Sequence, residues 1–152
     1  MTAAAETAAS VPSGLELLRR AVASGEPPPP AASLLGWEAL EIEPGRVRVR
    51  YAADERFFNP HGSVQGGFLA AMLDDAMGPA GLTLLGPGEF APTIEMKVAF
   101  LRPARTGTLI AEGRALHRTR RVLFLEGALR TEDGQLIATA TSTACILHRF
   151  VV

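Results

Sequence analysis

The 152-residue chain is poor in the residues that cross-link proteins, bind metals or span membranes. Cys145 is its one cysteine. No internal disulfide can form, which excludes a cross-linked secreted scaffold and points to a reducing compartment. The three histidines, His61, His117 and His148, lie far apart and lack zinc spacing, so no metal is expected. No apolar run approaches the ~18–20 residues that cross a bilayer. The N-terminal stretch MTAAAETAASVPSG has neither a basic residue nor an apolar block suited to a secretory leader. A cytoplasmic location without a membrane partner is the resulting expectation. Charge of either sign is also not in excess: 15 Lys+Arg stand against 16 Asp+Glu, for a formal charge of -1. A nucleic-acid partner is therefore not expected, because such proteins gather basic residues on one face. The G-x-S-x-G turn of serine hydrolases is missing as well.

What is present suffices for a single folded domain. Hydrophobic residues make up 47% of the chain, enough for a sizeable core. The Ala/Thr/Ser-rich residues 1–13 are expected to be disordered. Residues 14–24 have Leu15, Leu18 and Val22 at helical spacing, with Ser13 and Glu16 forming a capping-box pattern at the start and Gly25 as a stop. The four prolines at 27–30 predict a stiff extended spacer. The expected division is therefore a flexible N-terminus, short helix and spacer over 1–32, and a main domain over 33–152. One helical turn is expected at 31–36. Residues 37–43 and 46–51 then predict two strands joined at Pro44-Gly45, and alternation in the second puts Val47, Val49 and Tyr51 inside and Arg46, Arg48 and Arg50 outside. One long helix is predicted over 66–82. Four further strands follow at 92–101, 108–117, 122–131 and 135–147, the last pair joined by an Asp133-Gly134 turn. The order β-β-α-β-β-β-β with an extra N-terminal helix is that of an α+β domain with mostly antiparallel pairing.

The long helix carries the chemical signal. Phe68, Leu69, Met72, Leu73, Ala76, Met77 and Ala80 form one broad apolar stripe, which predicts burial against a sheet. The opposite side is not a charged surface: Gly67, Ala70, Ala71, Gly78 and Gly81 surround Asp74 there. Residues so small permit close approach, either of a partner subunit or of a ligand, at a cost of up to ~1 kcal/mol per glycine in helix propensity. Asp75 falls between the two faces and is the competing carboxylate. Gly66 and Gly67 open the helix, where the first amides have no intrahelical acceptor and the dipole is positive. Without a Cβ, these glycines let an oxygen reach those amides, as a carbonyl-polarising site requires.

The pattern Asn59-x-x-Gly62-x-Val64-Gln65-Gly66-Gly67-x-Leu69-x-x-x-Leu73-Asp74-x-Ala76-x-Gly78-x-Ala80 resembles the hot-dog-fold acyl-CoA thioesterases of the phenylacetic-acid-pathway (PaaI-like) type. The run IEMKVAFLRP at 94–103 with Gly107, and HRTRRVLF at 117–124, are similar to later segments of the same family, so that the likeness spans about residues 35–148. The resemblance implies the hot-dog fold, a long central helix wrapped by a curved antiparallel sheet. It implies a homodimer with continuous sheets, or a homotetramer, and two sites at the subunit interface. The substrate it implies is an acyl- or aryl-CoA thioester, hydrolysed to acid and free CoA without a cofactor. Asp74 aligns with the family's carboxylate, either nucleophile or general base. The Gly66 N–H aligns with the group that polarises the thioester carbonyl. Asn59 aligns with a side chain that positions water or the carboxylate, and Thr93 with a residue contacting that water. By the same analogy Asn59, Gln65 and Gly66 come from one subunit, and Asp74 and Thr93 from the other. One departure stands out: Gln65 occupies the first position of what is commonly a His-Gly-Gly motif. Glutamine forms hydrogen bonds but does not titrate near neutral pH, so Gln65 is expected to position and His61 is not expected to be catalytic.

The rest of the substrate needs apolar walls and anion sites. Gly67 is a candidate for contact with the substrate, and Phe57, Phe58, Phe68, Met72 and the N-terminal helix are candidates for the acyl end. Arg102, Arg105, Arg118, Arg120 and Arg121 are expected to gather in the turns flanking the 108–117 strand, where their planar forks suit CoA phosphates, with Thr119, Arg120 and Arg121 as the leading group. Two other activities compete. An acyl-thioester hydratase or dehydratase pairs an acid with a histidine, and Gln65 counts against it. A non-catalytic acyl-CoA-binding module is opposed by the retention of Asp74. Cys145 is expected to be a core residue of an apolar strand.

Overall fold

The computed structural model describes residues 11–148; the disordered stretch expected over 1–13 lies, for residues 1–10, outside them. Alternation decides the orientation of the strands. In β2 (Arg46–Ala53), Val47, Val49 and Tyr51 are fully buried, whereas Arg46, Arg48 and Arg50 face outward. Those arginines meet the acids of β1 (Glu38–Glu43) and β5 (Gly107–Arg118): Arg50 pairs with Glu38, Arg48 with Glu41, and Arg46 with Glu41 and Glu112. The basic row is thus the outer face of a sheet, neutralised by cross-strand partners. With β4 (Thr93–Phe100), β6 (Val122–Thr131) and β7 (Leu136–Cys145), these strands form one six-stranded antiparallel sheet in the order β1-β2-β5-β6-β7-β4.

Helix α3 (Gly66–Leu82) joins the β1–β2 hairpin to the far edge strand and so crosses the inner face of the sheet. Its bounds are those the periodicity predicts. Leu69, Met72, Leu73, Ala76, Met77 and Ala80 are buried, packed in one core with Val49, Ala111, Leu125, Leu129 and Ile137. Two glycines set how closely the helix lies. Gly113 and Gly127 are direct cross-strand partners. A Cβ on Gly113 would sit 2.2 Å from the carbonyl oxygen of Ala76, and one on Gly127 would sit 3.1 Å from Met77 Cγ. The pair forms a notch in the sheet that admits the helix backbone.

The N-terminal arm packs on the end of this helix. α1 (Gly14–Ala23) has the predicted capping box: the Ser13 amide donates to Glu16 Oε2 at 2.8 Å, and the Glu16 amide to Ser13 Oγ at 3.4 Å. The Gly14 amide donates to the Leu85 carbonyl at 3.0 Å, and a Cβ on Gly14 would overlap the Leu82 carbonyl. The proline run is not wholly a spacer, because Pro30 opens a second helix, α2 (Pro30–Leu35), where its missing N–H costs nothing. Buried Thr83 ties the hairpin turn to the helix end: its hydroxyl donates to the Ala80 carbonyl and accepts from the Gly45 amide, both at 2.7 Å.

Three sequence expectations change. The last strand breaks at Ile146, and Leu147–His148 (β8) pairs instead with Glu89–Phe90 (β3) in a two-stranded sheet. Glu89 fastens that corner by accepting from the Gly86 amide at 2.7 Å and from Arg118 at 2.6 Å. Gly81 does not belong to the open small-residue face: it is buried, and a Cβ there would lie 3.2 Å from Leu123, because the curved sheet closes over the last turn of α3. Cys145, at the end of β7, is half-buried rather than a core residue.

Candidate active site

The loop before α3 is built around Asn59. Its Oδ1 accepts from the His61 amide at 2.9 Å and the Ser63 amide at 3.3 Å, and its Nδ2 donates to Ser63 Oγ at 3.0 Å. Such a turn is what an asparagine side chain does when it bonds its own backbone two residues on. Asn59 therefore shapes the approach to the helix. The Gln65 amide donates to the Phe57 carbonyl at 2.7 Å, which fixes the chain direction, while its side chain is exposed and makes no capping bond. Gly66 and Gly67 follow as the first two helical residues. Neither amide has a hydrogen-bond acceptor among the described residues, so the positive helix end presents two donors outward. The Phe100 ring lies over Gly66, 3.1 Å from where a Cβ would be, and Gly67 has open space around it.

Asp74 is two turns further along α3, half-exposed, in a stripe with Gly67, Ala71 and Gly78, all exposed. The Thr93 hydroxyl, at the start of β4, donates to Asp74 Oδ1 at 2.9 Å. Oδ2 has no partner among the described residues. The structure thus joins Asp74 with Thr93, which the resemblance had set against the nucleophilic water, and leaves one carboxylate oxygen available. It does not bring Asp74 to the glycine amides. Eight residues of helix at ~1.5 Å each place Gly66 about 12 Å from Asp74 along the axis. One carbonyl carbon cannot be reached from both ends of that interval within a single chain.

The neighbouring carboxylate has a different environment. Tyr51 is fully buried and donates its hydroxyl to Asp75 Oδ2 at 2.9 Å. Burial pushes the Asp75 carboxyl above its ordinary range, opposed by the tyrosine bond and reinforced by nearby Asp74. Burial and the same acids drive the Tyr51 phenol far upward. Tyr51 and Phe100 escaped the site reading, since alternation marked the first as core and nothing in the spacing linked the second to Gly66.

The other candidates divide. Phe68 is half-buried and stacks on Phe57 with ring centroids 4.4 Å apart, forming an apolar wall beside the helix start. The arginines do not form one cluster. Arg102 and Arg105 precede β5, and Arg118, Arg120 and Arg121 end or follow it; a strand of 12 residues separates the groups by roughly 36 Å. Arg102 donates to the Leu136 carbonyl at 3.0 Å, and Arg118 is paired with Glu89. Arg120 and Arg121 are exposed, with no ion pair among the described residues. The Thr119 hydroxyl accepts from the Val122 amide at 2.9 Å and closes the turn that carries them. His61 is exposed, and only its backbone bonds Asn59.

Residues 61–138 match the sequence profile of the Thioesterase superfamily. A phenylacetic acid degradation-related protein of Ralstonia eutropha JMP134, described as a thioesterase, is 36% identical; the alignment covers 84% of this chain and 97% of that one, with a TM-score of 0.78. A protein of Saccharolobus solfataricus named as an esterase is 30% identical over 111 residues, 73% of this chain and 79% of its own. A Streptococcus mutans protein whose structure holds acetyl-CoA shares the fold, with a TM-score of 0.69 over 74% of this chain and 90% of that one, at 23% identity.

Proposed function

Because the chain belongs to the thioesterase superfamily and so hydrolyses a thioester, we propose that its substrate is an acyl- or aryl-CoA and that each site is completed by a second copy of the chain. The observation that carries this reading is the 2.9 Å bond from Thr93 to Asp74 on a helix face stripped of bulk. A thioester carbonyl is electrophilic and a thiolate leaves readily, so one carboxylate and one or two donors suffice without a triad. Thr93 holds Oδ1, and Oδ2 either attacks the carbonyl carbon or takes a proton from the water that does. The Gly66 N–H of the other subunit receives the carbonyl oxygen as it gains charge. The C–S bond breaks, CoA thiolate leaves and is protonated, and water supplies the oxygen of the product acid.

The dimer reading has three supports. Asp74 and Gly66 are about 12 Å apart within one chain, as the helix rise requires. Strand β4 is an edge, paired on one side with β7 only, and it exposes Ile94 and Phe100 at 61% and 53%. Such an edge is a template for pairing with another chain. Gly67, Ala71 and Gly78 leave the side of α3 around Asp74 open to close approach. Gln65, next to the amide donors, orients the thioester or water without carrying a proton. Arg120 and Arg121, exposed and without an ion pair among the described residues, take the CoA phosphates, and Phe57 and Phe68 wall the acyl end. That a Streptococcus mutans protein of this fold holds acetyl-CoA agrees with the choice of carrier.

A panel of acyl- and aryl-CoAs assayed by thiol release tests the reading. Asp74→Asn should lower kcat by about 100-fold or more, the scale of a positioned acid or base, with the fold intact by circular dichroism. Asp75→Asn should stay within about tenfold of wild type. Tight CoA-ester binding without turnover, or inactivity of Asp75→Asn with an active Asp74→Asn, would overturn it.

A further inference from the structure

A cavity lies between α3 and the N-terminal arm, lined by Asp75 and not by Asp74. Its volume is about 460 Å³, within the range of small-molecule sites. The N-terminal arm forms its roof: Leu18 and Val22 from α1, and Pro28 from the proline run. Trp37 stands at its side, and Pro79 and Leu82 of α3 form the floor. The walls are therefore mainly apolar and come from both the arm and the body.

The polar groups are of one kind. Asp75, Glu38 and Glu26 line the cavity, and no lysine, arginine or histidine does. Glu38 is neutralised by Arg50 at 2.6 Å. Asp75 has only the neutral Tyr51 hydroxyl as a partner, on Oδ2, so its charge is not balanced by any cation within the described residues. The helix adds a further acceptor. Pro79 has no N–H, so the backbone carbonyl of Asp75, one turn earlier, loses the amide that would bond it in an unbroken helix. A cavity with apolar walls, hydrogen-bond acceptors at its floor and an uncompensated carboxylate fits an occupant with an apolar body and a cationic donor. Indole is also the best aromatic partner for a cation.

We propose that this cavity is a binding site for a small hydrophobic amine in its protonated form, held by the Asp75 carboxylate and enclosed by Trp37 and the N-terminal arm. The site uses none of Asp74, Thr93, Gly66, Phe57 and Phe68; the N-terminal helix, an acyl-end candidate in the sequence, packs against the Leu82 end of α3, away from Phe68 at its start. An ammonium group donates to Asp75 Oδ1, and the aryl or alkyl body occupies the space between α1 and Pro79. The arm is then the lid of a ligand site as well as a structural appendage.

Trp37 is the only tryptophan in the chain, so intrinsic fluorescence reads this cavity directly. The probes are 2-phenylethylamine, the neutral 2-phenylethanol and the anionic 3-phenylpropanoate, titrated into the full chain. The amine should give a saturable change in Trp37 emission, the alcohol should bind more weakly, and the acid should not bind. Asp75→Asn should weaken the amine about tenfold or more, the scale of one charge-assisted hydrogen bond, and leave the alcohol unchanged. Ala21→Phe, on the exposed side of α1, should fill the cavity and abolish binding of both while circular dichroism and CoA-ester hydrolysis persist. Equal binding of the three probes, no saturable response to the amine, or an amine affinity that is indifferent to both substitutions would overturn the proposal. Because hydrolysis is assayed separately, failure here leaves the thioesterase reading standing, and the converse holds.

Discussion

At the residue scale, adjacent carboxylates on α3 differ through what they touch. Asp74 accepts a hydroxyl from the start of β4 and opens onto a face without bulk, whereas Asp75 meets a buried phenol and the floor of an apolar cavity. The sequence favours Asp74 because the spacing of Gly67, Ala71 and Gly78 puts it at the centre of the small stripe. It could not supply the partner of Asp75, since Tyr51 is 24 residues away and reads as core by alternation. The raised carboxyl of Asp75 has a stability consequence. The folded state holds its proton more tightly than the unfolded state, so stability is lost as pH rises from the ordinary value of 3.8 toward the raised one. The groups that face it are Tyr51 and Asp74, neither of them cationic. Urea denaturation of wild type and Asp75→Asn should therefore show wild type losing ground to the variant as pH rises above about 4. A constant difference as pH rises would contradict the burial account.

At the element scale, the fit of α3 against the sheet rests on Gly113 and Gly127. Gly113→Ala would place a methyl group 2.2 Å from the Ala76 carbonyl oxygen, which neither backbone can absorb without moving. A loss of about 1–3 kcal/mol or more is expected in chemical denaturation. Gly67→Ala, with nothing near its Cβ in the chain, should leave stability within about 0.5 kcal/mol. Element boundaries were legible where a local signal existed: the capping box of α1, the Gly45 and Gly134 turns, both with positive φ, and the helical period of α3. They were not legible where a tertiary contact decides. The break at Ile146 and the β3–β8 pair depend on the Glu89 clamp, and the burial of Gly81 depends on sheet curvature. The division of the arginines between the two ends of β5 was legible, because the strand pattern at 108–117 sets them in the turns on either side.

At the scale of the whole molecule, the proposal is that a second copy of the chain completes each site. Along the open edge of β4, Thr93 and exposed Ile94 stand at the Asp74 end, and exposed Phe100 stands at the Gly66 end of α3. Sedimentation velocity should show a dimer or tetramer at the concentrations where the enzyme is active; an active monomer would remove the shared site. The expectation of a second subunit comes from the PaaI-like resemblance, while periodicity alone leaves open the choice between a partner subunit and a ligand.

The central claim, that Gly66 of one subunit and Asp74 of another act on the same carbonyl, is tested most directly by mixing two inactive variants. Gly66→Pro removes the amide donor at the first helical position, where the proline φ fits, Gln65 is already extended and the exposed Phe100 ring must shift by a few tenths of an ångström. Loss of one such donor should cost about 100- to 1,000-fold in kcat, and Asp74→Asn should be comparably inactive. Unfolding the two together and refolding gives hybrid dimers in which one site has an intact Gly66 from one chain and an intact Asp74 from the other. Random pairing into symmetric dimers predicts recovery of about a quarter of wild-type activity. No recovery, from a mixture whose hybrids are demonstrated by differential tagging, would mean that each chain carries a complete site and would contradict the account.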